Sequence, residues 1–125
     1  MEATGIRKRF LGLPVNIAFD DAELARVCNS DAARRARFGP EAAATLHRRL
    51  DQMAAAGHLA DLHRLAAARL RPDPADSGVS RIISLGDHGH LVVRPRDDLP
   101  AAYRDGTLDE HSVRALIVTA IAITR

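Results

Sequence analysis

A set of basic side chains in the second half of the chain could bind an anion and exchange a proton with it. The set consists of two imidazoles and four guanidiniums: His88, His90, Arg71, Arg81, Arg94 and Arg125. Histidine titrates near neutral pH, and arginine keeps its charge and presents a planar fork to phosphate. His90 and Arg94 lie in one predicted strand, where alternation places their side chains on one face. We predict that the set gathers near the sheet, with His90 and Arg94 as a candidate acid–base pair.

A second group of arginines lies on predicted helices and at the start of a loop. Its members are Arg34, Arg35, Arg37, Arg48, Arg49 and Arg69. On the helices they could contact RNA phosphates or simply form solvated faces, and Arg69 could contact RNA or support its loop. His88 and His90 flank Gly89 in a predicted turn. Local sequence favours solvated turn histidines, and the imidazole pKa keeps a functional role open.

The remaining reactive side chains favour structural roles. The pairs Asp97-Asp98 and Asp109-Glu110 are typical of exposed loop charge. Cys28 is the only cysteine, which excludes an internal disulfide and offers no metal cluster, and a packed thiol is favoured over a nucleophile. Tyr103 is expected to pack against its own loop. We therefore predict no metal and no cofactor.

Composition indicates one small domain with a weakly basic balance. The chain has 125 residues and a net charge of +2, and Lys8 is its only lysine. That charge fits nucleic acid but is too small to establish it. We predict a loose basic extension over residues 1–13 and a single domain over residues 14–125. No apolar run is long enough for a membrane span, and the short apolar stretch after Lys8 does not favour a signal peptide, so we predict a cytoplasmic protein.

Hydrophobic periodicity predicts the elements that must position these residues. We expect a strand over residues 15–19, then helices over 22–27, 31–37 and 40–56, with Ser30 capping the second and Pro40 beginning the third. Ala43, Leu46, Leu50 and Met53 recur at helical spacing and should face the core.

The sequence pattern in the second half of the chain predicts a sheet. We expect loops over residues 66–79 and 95–111, and strands over 80–85, 90–94 and 113–124. The last strand is apolar on both faces and should be central. The order predicts an α+β fold, a small, mainly antiparallel sheet with helices packed on one face.

Several short segments, in this order and spacing, resemble one family. They are Cys28-Asn29-Ser30-Asp31, Arg37-Phe38-Gly39, a basic helix ending Arg48-Arg49-Leu50, Leu59-Ala60-Asp61-Leu62, Ala67-Ala68-Arg69-Leu70 and, later, Arg104-Asp105-Gly106-Thr107 before the last strand. The register runs without a gap from Cys28 to Pro95. This pattern resembles the RelE/HigB-type toxins of type II toxin–antitoxin systems, in the plasmid maintenance killer protein branch.

The resemblance implies a RelE/ParE-like toxin fold and a bacterial, metal-independent, ribosome-dependent endoribonuclease that cleaves messenger RNA and inhibits translation. It implies a HigA-like helix-turn-helix antitoxin as partner. In this framework we assign catalysis to His90, Arg71, Arg81 and Arg125. We assign RNA binding to Arg34, Arg35, Arg37, Arg48, Arg49, Arg69, His88 and Arg94.

The chain departs from the family pattern where catalysis is expected. Arg71 stands in place of a histidine, residues 74–80 replace a lysine- and arginine-rich loop, and His90 replaces an arginine. The usual Asp-Tyr-His ending is Ile123-Thr124-Arg125. Two alternatives therefore remain open. One is a catalytically degenerate toxin fold that acts as a binding module with a helix-turn-helix antitoxin, and the other is a gyrase-directed toxin of the ParE type.

Overall fold

A mixed five-stranded sheet and three α-helices make up most of the described part of the chain. This computed structural model describes residues 15–76, 79–96, 103–104 and 106–124. The predicted extension at residues 1–13, the pair Asp97-Asp98 and the candidate catalytic Arg125 lie outside the described residues. No helix in the described ranges is long and apolar enough to cross a membrane.

The helices begin where capping chemistry predicts. They are α1 (Ala22–Cys28), α2 (Asp31–Phe38) and α3 (Pro40–Ala55). Asp21 accepts a hydrogen bond from the Leu24 amide at 2.8 Å, and Ser30 accepts one from the Ala33 amide at 3.1 Å. Each side chain satisfies an amide that has no partner within the helix. Pro40 opens α3, where a missing N–H costs nothing.

The strands form one sheet and a separate hairpin. The sheet contains β1 (Asn16–Phe19), β2 (Arg71–Pro72), β3 (Arg81–Ser84), β4 (Gly89–Pro95) and β7 (Ala115–Ile123), in the order β1-β7-β4-β3-β2. The hairpin pairs β5 (Tyr103–Arg104) with β6 (Thr107–Leu108). Only β1 and β7 pair in parallel, so the predicted α+β class and mainly antiparallel sheet are confirmed, and the sheet is mixed.

Two segments predicted as loops contain regular structure. The first holds the short edge strand β2, and the second holds the β5–β6 hairpin. Both strands of the hairpin and β2 are two residues long, too short for an alternating pattern to reveal them. Tyr103, predicted to pack against its loop, is 52% exposed.

The core lies between α3 and one face of the sheet. Ala43, Leu46 and Met53 are buried and Leu50 is half-buried, as their helical spacing predicts. Leu46 and Met53 belong to one buried cluster with apolar side chains of β3, β4 and β7. α3 also contacts β1, so this helix and the sheet form the two layers that bury the core.

The last strand is interior, as predicted, but it is not buried on both faces along its whole length. β7 lies between β1 and β4. Leu116 and Val118 are inaccessible, whereas Ala120 and Ala122 are exposed. The β4 pairing shifts between Val92 and Val93, which leaves Thr119 as an extra residue on β7. The Thr119 hydroxyl donates to the Val92 carbonyl at 3.2 Å and so compensates for the interrupted ladder.

Gly89 is where the start of β4 meets the end of β7. Its φ is +130°, and a Cβ built there would lie 1.9 Å from the Ala122 carbonyl oxygen. A side chain at this position would collide with backbone, which cannot move without breaking the β4–β7 ladder. The turn before β4 therefore requires glycine for its conformation and for the close approach.

We expect Gly89→Ala to destabilise the protein by about 3 kcal/mol or more, because strain at positive φ adds to the backbone collision. Urea unfolding followed by circular dichroism measures this cost. Gly86→Ala is the matched control. Gly86 also has a positive φ, +67°, but open space around its Cβ position, so only the conformational cost of about 1 kcal/mol applies. Equal costs for the two variants would contradict the proposed collision.

Candidate functional site

The sheet face turned away from α3 carries three of the predicted site residues. We call it the outer sheet face and define it by Arg71, Ile82, His90, Val92 and Arg94. The register pairs Arg71 with Ile82 and Ile82 with Val92, so these three side chains form one row across β2, β3 and β4. His90 and Arg94 stand two positions before and after Val92 and point the same way. The prediction that His90 and Arg94 share a face is confirmed.

Strand geometry sets the scale of this site. The rise per residue places the Cα atoms of His90 and Arg94 about 13 Å apart. Strand spacing places the Cα atom of Arg71 about 12 Å from that of His90. Arg71 is exposed, and His90 and Arg94 are half-buried. The outer sheet face therefore combines one group that can exchange a proton with two that hold fixed positive charge, the combination that phosphoryl chemistry needs.

Arg81 lies on the opposite face from His90, which corrects its expected place in the catalytic group. It pairs with Val93, a core residue, and its side chain is buried. Its Nε donates to Glu110 Oε2 at 2.5 Å, and an Nη donates to the Ser80 carbonyl at 3.2 Å. Arg81 is the neighbour of Ile82 in β3, and neighbouring side chains of a strand point to opposite faces. The Arg81 side chain therefore lies in the interior and not on the outer sheet face.

Arg34 and Arg49 are buried, which corrects the prediction that they lie on an RNA-binding or solvated helix face. Arg34 donates to the Cys28 carbonyl and lies 3.3 Å from His47 Nδ1. Arg49 donates from Nε to the Ser84 carbonyl at 2.9 Å, which ties α3 to the end of β3. Burial also lowers the pKa of Arg49, with Arg48 contributing. Their apolar stems fit the interior while the charged ends satisfy backbone carbonyls.

The other helical arginines remain at the surface. Arg35 pairs with Asp31 at 3.3 Å, and Arg37 pairs with Glu23 at 3.1 Å. Exposed pairs of this kind contribute at most about 1 kcal/mol, so they leave the guanidiniums available to a stronger partner such as phosphate. Arg48 is also exposed. These three keep the exposure that the RNA-binding prediction requires.

His88 and Arg69 occupy irregular backbone. His88 ends a short 3₁₀ turn beside the α2–α3 junction, and its carbonyl accepts from the Thr124 amide at 2.8 Å. It lies in a turn, as predicted, and is half-buried. His90 lies within β4, in agreement with the strand predicted over residues 90–94. Arg69 is exposed and adopts a left-handed conformation with φ of +46°.

Cys28 has the environment of a packed thiol. It is buried, and burial raises its pKa to about 11 although the nearby Arg34 charge opposes the shift. Since the thiolate is the reactive form, this environment does not favour a nucleophile at neutral pH.

Sequence reasoning missed a second cluster, between the 3₁₀ segments Leu59–Arg64 and Glu110–Ser112. A cavity of about 380 Å³ lies there, and we call it the histidine groove. It is lined by His58, Ala60, Asp61, His63, Arg64, Glu110 and His111. The sequence carried only a weak signal for it, because the His63–Glu110 contact spans 47 positions and the pair Asp109-Glu110 was predicted to be exposed loop charge.

Glu110 is the centre of the histidine groove. Its Oε1 lies 2.6 Å from His63 Nε2, and its Oε2 accepts from Arg81 at 2.5 Å. Burial tends to raise the pKa of Glu110, but the hydrogen bonds from Arg81 and His63 outweigh that effect and the pKa is lowered. The carboxylate is therefore ionised and orients the His63 ring, as a carboxylate does for a catalytic imidazole.

Asp61 organises the other wall of the groove. Its Oδ2 accepts from the Gly57 amide at 2.9 Å and from the His58 amide at 3.4 Å, and the first of these bonds is the largest cause of its lowered pKa. The His58 ring packs against the His111 ring with centroids 5.1 Å apart. Within the described ranges no three His, Cys, Asp or Glu side chains converge in a way that could hold a metal ion.

Comparisons of the chain with protein-family models, curated proteins and solved structures find no match. The resemblance to RelE/HigB toxins therefore rests on the quoted residues alone and stays a prediction.

Arg48 and Arg49 are adjacent on α3, so substituting each in turn distinguishes a structural role from a surface role. We expect Arg49→Ala to lower the free energy of unfolding by about 2–3 kcal/mol, because the buried Ser84 carbonyl loses its donor. Arg48→Ala should change stability by no more than about 0.5 kcal/mol. Urea midpoints measure both, and equal midpoints for the two variants would refute the assignment of Arg49 as an interior tie.

We expect Glu110→Gln to cost about 2–4 kcal/mol at pH 7, because it removes the carboxylate charge that lies 2.5 Å from the buried Arg81 guanidinium. The folded-state pKa of Glu110 is lowered from 4.5, so its stabilising effect is fully present above pH 4.5 and is lost as pH falls through the lowered value. Thermal melts at pH 7 and pH 3 should show that the difference in melting temperature between the wild type and Glu110→Gln is smaller at pH 3. Glu41→Gln, at an exposed position, is the control. A melting-temperature difference between the wild type and Glu110→Gln that is the same at both pH values would contradict the ion pair.

Proposed function

We propose that this protein is the toxin of a type II toxin–antitoxin pair, a metal-independent endoribonuclease that cleaves messenger RNA on the ribosome and inhibits translation. The observation that carries the proposal is the outer sheet face, where the strand register aligns Arg71, His90 and Arg94. The RelE/HigB-like residue pattern from Cys28 to Pro95 supports the same function.

In the proposed reaction RNA supplies its own nucleophile. His90 takes the proton of a ribose 2′-hydroxyl, the 2′-oxygen forms a bond to the adjacent phosphorus, and the bond from phosphorus to the 5′-oxygen breaks. The protonated imidazole or a water molecule supplies the proton to the leaving oxygen. Arg71 and Arg94 stabilise the charge that develops on the phosphoryl oxygens.

The exposed arginines extend this site to a larger RNA. Arg48 and Arg69 are exposed, and Arg35 and Arg37 are held only by surface ion pairs. Guanidiniums in such positions bind phosphates without reading sequence, so they would position the protein on ribosomal or messenger RNA. The affinity should fall as salt concentration rises.

A second candidate function is a binding module that acts with a HigA-like helix-turn-helix antitoxin and has no catalysis of its own. The observation that favours it is the position of Arg81, one of four assigned catalytic residues, which is buried and paired with Glu110. In this case the fold would serve as the partner of a DNA-binding protein and adjust transcription.

We expect inducible expression of the wild-type chain in a bacterium to arrest growth and to create new 5′ ends in cellular messages. His90→Ala should abolish both, because loss of a general acid–base group costs about 100-fold or more in rate. His47→Ala is the matched control, since His47 is exposed on α3 and distant in sequence from the outer sheet face.

The outcomes separate the two candidates. Arrest and cuts that persist in His90→Ala would refute the catalytic assignment. Normal growth and intact messages with the wild-type chain would refute the endoribonuclease, and co-purification with a helix-turn-helix protein would then support the binding module. A supercoiling assay tests the remaining ParE-type alternative.

A further inference from the structure

A cleft with apolar walls lies at the edge of the sheet, between β1 and α3. β1 is the outermost strand in the order β1-β7-β4-β3-β2, so no described strand covers its free edge. Ile17 and Phe19 of β1 and Leu50 and Ala54 of α3 form the apolar walls, and Arg34 of α2 also lines the space. The volume is about 360 Å³, and we call this space the α3–β1 cleft.

The Arg34 guanidinium is buried but incompletely satisfied. Its side chain is only 6% exposed. One terminal nitrogen donates to the Cys28 carbonyl, and the other lies 3.3 Å from His47 Nδ1. The Nε atom is buried and has no hydrogen-bond partner among the described residues. Because a buried charged donor without an acceptor is costly, the guanidinium retains the capacity to bind a further acceptor.

The countercharge of Arg34 is shared and exposed to water. Asp31 lies 3.6 Å from Arg34 through Oδ1 and 3.3 Å from Arg35 through Oδ2, and its side chain is 67% exposed. One solvated carboxylate therefore serves two guanidiniums and leaves positive charge at the buried one. The carboxylate that lines the cleft, Asp51, is 70% exposed and pairs with His47 at 3.3 Å.

We propose that the α3–β1 cleft binds a small monocarboxylate with an apolar body. A carboxylate matches the donor geometry of a single guanidinium, and the apolar body would lose contact with water against Ile17, Phe19 and Leu50. Asp51 repels a dianion more strongly than a monoanion, which disfavours phosphate. The cleft volume lies within the range of small-molecule sites. This site is separate from the outer sheet face and does not depend on endoribonuclease activity.

The test is a titration of the full chain with hydrocinnamate, followed by calorimetry and by the NMR signals of the Arg34 Nε–H and of the Ile17 and Leu50 methyl groups. Hydrocinnamide removes the charge of the probe, and acetate removes its apolar body. We expect saturable shifts of these signals with hydrocinnamate and at least about 10-fold weaker binding of both controls.

The carboxylate could belong to a free acid or to the C-terminus of a peptide. N-acetyl-phenylalanine is hydrocinnamate with an added acetamido group, so it represents the second source. Tighter binding of N-acetyl-phenylalanine than of hydrocinnamate would assign the ligand to a peptide terminus. Equal or weaker binding would assign it to a free acid.

Two substitutions complete the test. Ala54→Leu occupies space in the cleft without changing its charge and should weaken hydrocinnamate binding about 10-fold. Ala44→Leu, at an exposed position of α3 outside the cleft, is the matched control and should bind as wild type. Arg34→Gln should abolish the preference for hydrocinnamate over its amide, and circular dichroism shows whether this variant folds.

The ligand series and Ala54→Leu decide the outcome even if Arg34→Gln does not fold. No saturable binding of hydrocinnamate, equal affinity for the acid and the amide, or unchanged affinity in Ala54→Leu would overturn the proposal. Shifts centred on His90 and Arg94 would overturn it as well, because they would place the carboxylate on the outer sheet face.

Discussion

The pairing of β4 with β7 is the interaction on which the rest of the structure depends. It joins the middle of the sheet to its longest strand. Gly89 fixes its register at one end, and Thr119 marks a register shift in its middle. Because strand side chains alternate with a period of two, a slip of one residue would exchange the core residues of β4 with the residues of the outer sheet face. The same register therefore decides both what is buried and what can react.

The outer sheet face and the histidine groove both follow from that alternation. On one face it carries His90 and Arg94 outward and aligns them with Arg71 through Ile82 and Val92. On the other face it turns Arg81 inward, where the guanidinium needs a countercharge and finds Glu110. A residue expected in catalysis thus becomes the internal anchor of the histidine groove.

The sequence predicted features that depend on local chemistry. The helix cap at Ser30, the core stripe of α3 and the shared face of His90 and Arg94 all depend on short spacings, and the structure has them. Burial of Arg34 and Arg49 was missed because the carbonyls that they satisfy become available only after packing. The histidine groove was missed for a similar reason, since its two walls are distant in the chain. The RelE/HigB resemblance and the endoribonuclease function stay predictions.

The central claim is that Arg71 and His90, brought to one face by the register of three strands, act on the same RNA. A double-mutant cycle measures this directly: cleavage rates of a message on purified ribosomes for the wild-type chain, Arg71→Ala, His90→Ala and the double variant. We predict that each single substitution slows cleavage and that the double variant is slowed by much less than the product of the two effects, as for groups that act as a unit. Strictly multiplicative effects, or no cleavage by the wild-type chain, would contradict the claim.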